Sequence, residues 1–280
     1  MATLFLVSTP IGNLGDLSPR ATDTLCTVAR ILAEDTRRTR ILAQRAGATA
    51  PLVSLHAHNE RERTGKILAW LAAGEDLALV SDAGTPLLSD PGARVVDAVL
   101  DAGHRVVPIP GPSAILAALV ASGLPSERFA FLGFPERKGG DRRALLERVA
   151  RAEETVVLFE SPQRLADLLD ALAGVCGPGR RVAVARELTK VHEEVTRGTL
   201  EEVAGYYRGH PPKGEVTVVV APAAEADSTG ERGEEARELA VQLLSQGLKP
   251  SEAAKELAGR LDLARNEAYR VVHEALEPNE

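Results

Sequence analysis

The chain has 280 residues, 44% of them hydrophobic and 26% charged, and its formal net charge at pH 7 is −7. This length predicts two or three domains with a substantial core, and the acidic balance argues against a protein that coats nucleic acid. No apolar run approaches the roughly 18 residues of a membrane span, so we expect a soluble cytoplasmic protein, and two isolated cysteines, Cys26 and Cys176, predict neither a disulfide nor a zinc site.

The first half of the chain alternates short apolar runs with amphipathic segments. The runs expected to form strands cover residues 3–8, 31–33, 53–56, 77–80 and 105–109. Helices follow these strands, and we assign helix N-caps to Ser18, Asn59, Asp90 and Ser113. Strands that alternate with helices are typical of a parallel sheet, so we predict a parallel-sheet α/β domain over residues 1–112.

Three loops at the carboxyl ends of these strands are rich in glycine and proline, at residues 9–16, 81–92 and 110–114. Open α/β sheets bind their ligands at this edge. In the second loop, Gly84 allows a ligand to approach the backbone closely, and the prolines on either side restrict the path of the chain. An ordinary strand-to-helix loop is the alternative, but the length and stiffness of this loop favour a ligand site.

An acidic pair and three arginines follow the second strand, in the segment Glu34-Asp35-Thr36-Arg37-Arg38-Thr39-Arg40. Arginines in the first turn of a helix oppose the helix dipole, at a cost of about a few tenths of a kcal/mol each. A solvated helix face does not explain this unfavourable placement, so we favour an anion-binding role. The nearby His56 and His58 have no carboxylate or cysteine at a metal-ligand spacing, so no metal site is expected.

The second half of the chain carries five further strand patterns, at residues 129–134, 155–160, 181–187, 194–198 and 214–220. The links between the later strands are short, which favours an antiparallel or mixed sheet. We therefore predict a mixed-sheet second α/β domain over residues 113–222. A basic loop at 135–143 leads into one of its helices.

A linker at residues 222–233 precedes a C-terminal region, 234–280, in which we predict two or three amphipathic helices. Segments 248–254 and 269–272 resemble a small helix-turn-helix unit, and a tail that packs a dimer explains the pattern equally well. The fold class is thus α/β, with two domains and a small helical C-terminal tail.

Six blocks of sequence carry a specific resemblance: Phe5–Asp16, Ala33–Arg40, Leu79–Gly92, Pro110–Ala114, Phe159–Pro162 and Ala185–Lys190. The motifs STPIGNLGD, AEDTRRT and SDAGTPLLSDPG, in this order, are far more specific than any single turn. Together the blocks resemble the RsmI family of 16S ribosomal RNA 2′-O-methyltransferases, within the tetrapyrrole methylase superfamily. The resemblance covers residues 3 to about 222 and extends into the tail.

This resemblance implies a two-domain tetrapyrrole-methylase-like enzyme that binds S-adenosylmethionine in the cleft between its domains. It also implies methylation of a cytidine ribose in the decoding region of 16S rRNA, within the 30S subunit, by a homodimer. A sulfonium methyl group is already activated, so the reaction needs no metal. Carried over by motif, the cofactor-binding residues are Pro10, Gly84, Thr85, Pro86, Leu87, Ser113, Ala114, Glu160, Arg186 and Glu215.

A ribose hydroxyl is a weak acid, so we expect a base near it, or a cation that lowers its pKa. The candidates by position are Asp35, Arg38, Glu160 and Lys190, and the sequence does not choose among them. Any of these carboxylates could instead be a helix cap or half of a salt bridge. The residues expected to bind RNA are Arg37, Arg38, Arg40, Arg137, Lys138, Arg142 and Arg143.

The sequence is compatible with two alternative functions. One is methylation of a tetrapyrrole or another small acceptor by a relative in the same superfamily, against which the arginine cluster at 37–40 speaks. The other is a non-catalytic ribosome-assembly protein that binds RNA. The intact glycine- and proline-rich loops at every expected cofactor position argue against that second function.

Overall fold

Two five-stranded sheets organise the first 222 residues in the computed structural model, which describes residues 2–223, 231–261 and 265–275. The chain divides into two compact units, Met1–Pro222 and Ala223–Glu280. Both sheets belong to the first unit, so the α/β part of the molecule is one body with two sheets.

The first sheet is entirely parallel. Its strands are β1 (Thr3–Val7), β2 (Arg30–Ala33), β3 (Leu52–Ser54), β4 (Leu77–Val80) and β5 (Arg105–Ile109). They lie in the order β3-β2-β4-β1-β5, so all five carboxyl ends meet at one edge. The predicted parallel sheet is confirmed, with strand bounds within two residues of those expected from the sequence.

Helices cover both faces of this sheet. They are α1 (Pro19–Thr27), α2 (Thr36–Ala46), α3 (Glu60–Ala72) and α4 (Ala93–Asp101). Leu25 of α1 and Leu42 of α2 pack on one face, and Ile67 of α3 and Val99 of α4 pack on the other. All residues of β4 are buried, as expected for a central strand whose apolar run faces helices on both sides.

The second sheet is mixed, as predicted. Its strands are β6 (Phe129–Phe131), β7 (Thr155–Glu160), β8 (Arg181–Arg186), β9 (Glu194–Thr199) and β10 (Val216–Val220), in the order β6-β7-β10-β8-β9. Strand β6 runs parallel to β7, and the other pairs are antiparallel. The aromatic strand β6 is three residues shorter than the predicted run at 129–134.

One helix covers one face of the second sheet and three cover the other. Helix α5 (Ala114–Ser122) packs Ile115 and Leu119 against one face. The opposite face is covered by α6 (Gly140–Arg151), α7 (Leu165–Cys176) and α8 (Leu200–Gly209). Apolar burial on both faces therefore stabilises this sheet as it does the first.

One of the four predicted helix caps is wrong, and another stands at its helix start without a capping hydrogen bond from its side chain. Ser18 and Ser113 do accept hydrogen bonds from helix N-termini. Asn59 instead bonds the turn that precedes α3, since its Oδ1 atom accepts from the amide of His56 at 2.9 Å. Its Nδ2 atom donates to the backbone oxygen of Ser54 at 3.2 Å, so Asn59 holds the N-cap position of α3 while its side chain closes the preceding turn.

Asp90 is not a helix cap, because α4 begins three residues later, at Ala93. The buried carboxylate of Glu60, on α3, takes that role. Its Oε1 atom accepts from the backbone amides of Arg94 and Val95, at 3.0 and 3.4 Å. A residue distant in sequence thus satisfies the helix start, and Asp90 is left available for other contacts.

The C-terminal unit consists of three described helices, α9 (Glu231–Ser245), α10 (Pro250–Leu261) and α11 (Arg265–Glu274). They pack around a small apolar core that includes Ala240, Leu257 and Val272. The end of the predicted linker is helical from Glu231 onward, and residues 224–230 lie outside the described part of the chain. Among the described helices, none has both the length and the apolarity that a membrane crossing requires.

Candidate functional site

A cavity of about 340 Å³ lies in the first unit between loops of the two sheets. The first sheet contributes the loop after β4, and the second sheet contributes the residues after β7 and the start of β10. The start of α5 lines it as well. The cavity thus lies at the carboxyl-end edge of the parallel sheet, as expected for an α/β ligand site.

The loops after β1 and β4 are joined at the base of this cavity. Thr9 and Gly84 exchange two backbone hydrogen bonds, of 2.9 and 3.0 Å. Gly84 has φ 80°, and a Cβ atom there would stand 3.4 Å from Cγ2 of Ile11. The position therefore favours glycine both for its backbone angle and for the space that it leaves open.

Two residues of the same loop that are not glycine have a strained, left-handed backbone. Leu87 and Ser89 have φ angles of 74° and 70°. A left-handed conformation costs a residue with a side chain about 1–2 kcal/mol. Such strain is concentrated at ligand sites, and here it lies in the loop that supplies Ser89 and Asp90 to the cavity wall.

Asp82 connects this loop to the arginine-rich segment. Its Oδ1 atom accepts from the amide of Asp35 at 3.0 Å, and its Oδ2 atom lies 3.4 Å from Nη1 of Arg38. Both Asp82 and Arg38 line the cavity. The ion pair therefore turns one of the three predicted arginines toward the site.

Asp35 itself is a helix cap. One of its carboxylate oxygens accepts from the Arg37 amide at 2.8 Å, and the other lies 2.7 Å from the Arg37 guanidinium. The hydrogen bonds from Arg37 hold the pKa of this carboxyl well below its usual range. The carboxylate partly offsets the unfavourable placement of arginines at the helix start, and Asp35 does not line the cavity.

Asp90, which lines the cavity, has a carboxyl pKa well above its ordinary value. Burial raises the pKa of its carboxyl to about 6, and the nearby charges of Glu34 and Asp82 act in the same direction. Burial and the charge of Asp82 also raise the pKa of Glu34. These three carboxyl groups make this side of the cavity a place where a positive charge is favourable.

The second sheet brings a buried carboxylate, Glu160, to the opposite wall. Its Oε1 atom accepts from the Ser161 amide at 2.7 Å. Its Oε2 atom lies 3.1 Å from Nη2 of Arg164 but forms no aligned hydrogen bond among the described residues. Glu160 therefore offers a ligand one unused acceptor.

Lys190 stands behind the cavity and bridges two carboxylates. Its Nζ atom lies 2.7 Å from Glu187 and 3.0 Å from Glu215, and of these three residues Glu215 lines the cavity. The loop after β1 packs here, since a Cβ atom at Gly12 would stand 2.5 Å from Cγ of Lys190. Lys190 thus holds Glu215 in place and supports the loop after β1.

The structure brings seven of the predicted catalytic and cofactor-binding residues to the cavity: Arg38, Gly84, Thr85, Ser113, Ala114, Glu160 and Glu215. Pro86, Leu87, Arg186, Asp35 and Lys190 are not part of its lining. Arg186 pairs with Glu194 at 2.9 Å. Pro10 lines a second, smaller cavity of about 190 Å³ next to the first.

Sequence reasoning missed several cavity residues, of which Asp82, Asp90, Phe134 and Phe159 are the most informative. The signal for the phenylalanines was present, since aromatic residues make up only 3% of the chain. Their rings are 5.3 Å apart, and Phe134 is 56% exposed beside the cavity. The signal for Asp90 was hidden by the Asp-Pro pattern of a helix cap.

The predicted RNA-binding arginines and lysine lie on two surfaces. Arg37, Arg38 and Arg40 are exposed on the first turns of α2. Arg137 and Arg142 line an open groove of about 470 Å³ together with Arg164 and Ser161, a residue that also lines the cavity. Lys138 and Arg143 lie nearby on the same basic loop and helix start.

Comparison with known proteins decides the family. Residues 3–204 match the family model for tetrapyrrole (corrin/porphyrin) methylases. Proteins named ribosomal RNA small subunit methyltransferase I, from Synechocystis sp. and Bacillus subtilis, are 46% and 42% identical to the chain over 271 and 281 residues. The matches cover 97% and 98% of this chain and 97% and 94% of the relatives. The chain belongs to the ribosomal RNA small subunit methyltransferase I family.

This methyltransferase shares its fold with solved structures of more distant enzymes. The methyltransferase CobJ superposes with a TM-score of 0.61 at 22% identity, over 80% of this chain and 95% of that one. The uroporphyrin-III-C-methyltransferase of Thermus thermophilus superposes with a TM-score of 0.56 at 23% identity, over 84% and 98%. At these identities the likeness concerns the fold alone.

Proposed function

We propose that the chain transfers a methyl group from S-adenosylmethionine to the ribose 2′-hydroxyl of a cytidine in the decoding region of 16S rRNA. The observation that carries this proposal is the cavity, where glycine-rich loops and carboxylates of both sheets meet in a member of a ribosomal RNA methyltransferase family. We place the reaction in the cytoplasm, on 30S subunits, and assign it to a homodimer.

The cavity fits S-adenosylmethionine in size and in charge. Its volume of about 340 Å³ is within the range of roughly 300–1,000 Å³ that small-molecule sites have. The donor carries a positive sulfonium and a positive ammonium group, and Asp90 and Glu215 offer carboxylates to them. Phe134 and Phe159 offer an apolar wall to a flat ring, and Oε2 of Glu160 is free to accept a hydrogen bond.

When bound, the donor supplies a methyl group that the positive sulfur has already activated. The residues of the chain have to align that carbon with the ribose hydroxyl and exclude water. The joined loops at Thr9 and Gly84 supply a fixed wall for this alignment. Arg38, at the cavity edge, places a positive charge where it would lower the pKa of the hydroxyl.

Two further catalytic candidates, Asp35 and Lys190, hold other site residues in place in this proposal. Asp35 caps the helix that carries Arg38, and Lys190 holds Glu215 at the cavity wall. Both are therefore positioning residues. In the transfer, the carbon–sulfur bond breaks with its electron pair left on sulfur, a carbon–oxygen bond forms, and the hydroxyl proton leaves to a carboxylate of the cavity.

The acceptor RNA would bind across the two basic surfaces beside the cavity. The exposed arginines of α2 lie at one side, and the groove at Arg137 and Arg142 lies at the other. Contacts between these cations and RNA phosphates supply affinity without sequence specificity. The apolar side chains Leu116 and Val120, 51% and 75% exposed on α5, support the assignment of a homodimer.

The test is transfer of a labelled methyl group from S-adenosylmethionine to 30S subunits that lack the modification, followed by mapping of the alkali-resistant linkage. We expect one labelled cytidine 2′-oxygen. Labelling of a tetrapyrrole but no RNA would support the small-acceptor alternative. If calorimetry detected RNA binding without donor binding, the non-catalytic RNA-binding alternative would replace this proposal.

A further inference from the structure

The second cavity, of about 190 Å³, adjoins the larger one and has Arg38 and Asp82 in common with it. It is too small for the methyl donor, which occupies the larger cavity in the proposed function. Its walls are apolar at Pro10, Leu14 and Ile41. Leu14 and Ile41 are 40% and 59% exposed, so two aliphatic side chains face solvent at the rim of a narrow pocket.

The floor of this second cavity carries a polar side chain. Thr39 is only 4% exposed, and it lines the cavity. A hydroxyl at this position can donate a hydrogen bond to a ligand or accept one from it. The Asp82 carboxylate, on the wall shared with the larger cavity, adds an acceptor.

We propose that this second cavity binds the base of the acceptor nucleotide and selects cytosine over uracil. The inference rests on the proposed function, because it takes the acceptor to be an unstacked nucleotide. Aliphatic walls suit the two faces of a pyrimidine ring, and the shared wall would leave the ribose at the opening to the donor.

Cytosine and uracil differ at the atoms that these polar groups would contact. The exocyclic amino group of cytosine donates a hydrogen bond and matches the Asp82 carboxylate, whereas the O4 atom of uracil is an acceptor and repels it. The Thr39 hydroxyl can donate to the ring nitrogen N3 of cytosine, which in uracil carries a hydrogen. Arg38, 65% exposed at the junction, is placed to contact the ribose or its phosphate.

The experiment compares kcat/KM on 30S subunits reconstituted with 16S rRNA that carries cytidine or uridine at the acceptor position, at saturating donor. We expect the wild type to prefer cytidine by at least about tenfold, the usual effect of one unmatched buried polar group. Asp82→Asn should reduce this preference at least tenfold, because an amide can donate to O4. The ratio of the two substrates is insensitive to partial loss of donor affinity, which matters because Asp82 lines both cavities.

Thr39→Val tests the floor of the cavity, and Thr36→Val on the same helix, outside the cavity, is its matched control. Thr39→Val should lower kcat/KM on cytidine subunits about tenfold with an unchanged donor dissociation constant, and Thr36→Val should behave like the wild type. Equal rates on both subunits, or an unchanged ratio in Asp82→Asn, would overturn the assignment while the proposed function stands. Absence of transfer to cytidine subunits would overturn both.

Discussion

At the scale of single residues, Gly84 and Asp90 contribute different properties to the same loop. Gly84 supplies a left-handed backbone and open space, whereas Asp90 supplies a carboxylate whose charge is costly to bury. One substitution at each position removes that property and leaves the rest of the loop unchanged.

Replacement of Gly84 by valine should abolish binding of S-adenosylmethionine, because the side chain would enter the space left for the ligand. The matched control is Gly103→Val, since Gly103 has a similar φ of 75° but no atom within 4 Å of its Cβ position. Both variants should lose about 1–2 kcal/mol of stability through backbone strain. Calorimetry should detect donor binding in the control alone, and undiminished affinity in Gly84→Val would refute the site.

Donor affinity should weaken as pH falls below about 6, where Asp90 becomes protonated in the free protein. A proton and a cationic ligand compete for the same carboxylate, so the dissociation constant should rise by up to about tenfold per pH unit. Asp90→Asn should bind the donor weakly and without this pH dependence. Titrations between pH 5 and 7.5 measure both, and a flat wild-type profile would contradict the role of Asp90.

The stability of the same variant provides a control for folding. Because the folded-state pKa of Asp90 is raised above the ordinary 3.8, the ionised form opposes folding. That penalty is absent below pH 3.8 and fully present above about pH 6. Asp90→Asn should therefore be at least as stable as the wild type at pH 7.5, so weak donor binding cannot be ascribed to unfolding.

At the scale of elements, the loop after β8 supports both the cavity wall and the loop after β1. Lys190→Met should break both ion pairs and lower the free energy of unfolding at pH 7 by about 1–2 kcal/mol. Lys190 holds the pKa of Glu187 below its ordinary 4.5, so the difference should shrink as pH falls below that value. Lys66→Met is the matched control, because its pair with Glu62 is exposed and 3.9 Å long.

Urea unfolding of the two variants at pH 7 and pH 3.5 measures this difference directly. A loss as small as that of Lys66→Met would mean that Lys190 contributes nothing beyond an ordinary surface pair. Donor affinity should fall along with stability in Lys190→Met, since Glu215 loses the contact that holds it at the cavity.

Element by element, the sequence predicted most of the strands because their apolar runs are local signals, as in the fully buried β4. The prediction of the helix cap failed because a residue distant in sequence supplies it. Glu60 accepts the hydrogen bond at the start of α4, and Asp90 is not needed there. The sequence also could not supply strand register. Val216 pairs with Glu160, so the antiparallel pairing of β7 and β10 is what brings Glu160 and Glu215 to one cavity. Nothing in either segment alone encodes that proximity.

At the scale of the whole molecule, the basic residues are dispersed over a chain with a net charge of −7. Extraction of one nucleotide from its stack costs a few kcal/mol, which contacts over a wide surface have to offset. We expect efficient methylation of assembled 30S subunits and poor methylation of a short oligonucleotide of the same sequence. Initial rates at matched donor saturation measure this, and equal rates would refute recognition through extended contacts.

Removal of residues 234–280 should lower the rate on 30S subunits more than it lowers donor affinity, provided that the proposed homodimer persists. Residues 1–222 form a compact unit of their own, so the cavity should survive the truncation. Sedimentation of the full-length and truncated proteins measures their oligomeric states, and calorimetry measures donor binding. If the methylation rate and the donor affinity fell by the same factor, the tail would have a structural role only.

The hydrogen bonds around the loop after β4 have a consequence for hydrogen–deuterium exchange. The loop is bonded at its start through Gly84 and at its end through the carboxylate of Glu60, which holds the amides of Arg94 and Val95. Between these points the amides of Ser89 and Asp90 donate no hydrogen bond within the described part of the chain. Exchange should therefore be slow at both ends and fast in the middle, and bound donor should slow the middle alone.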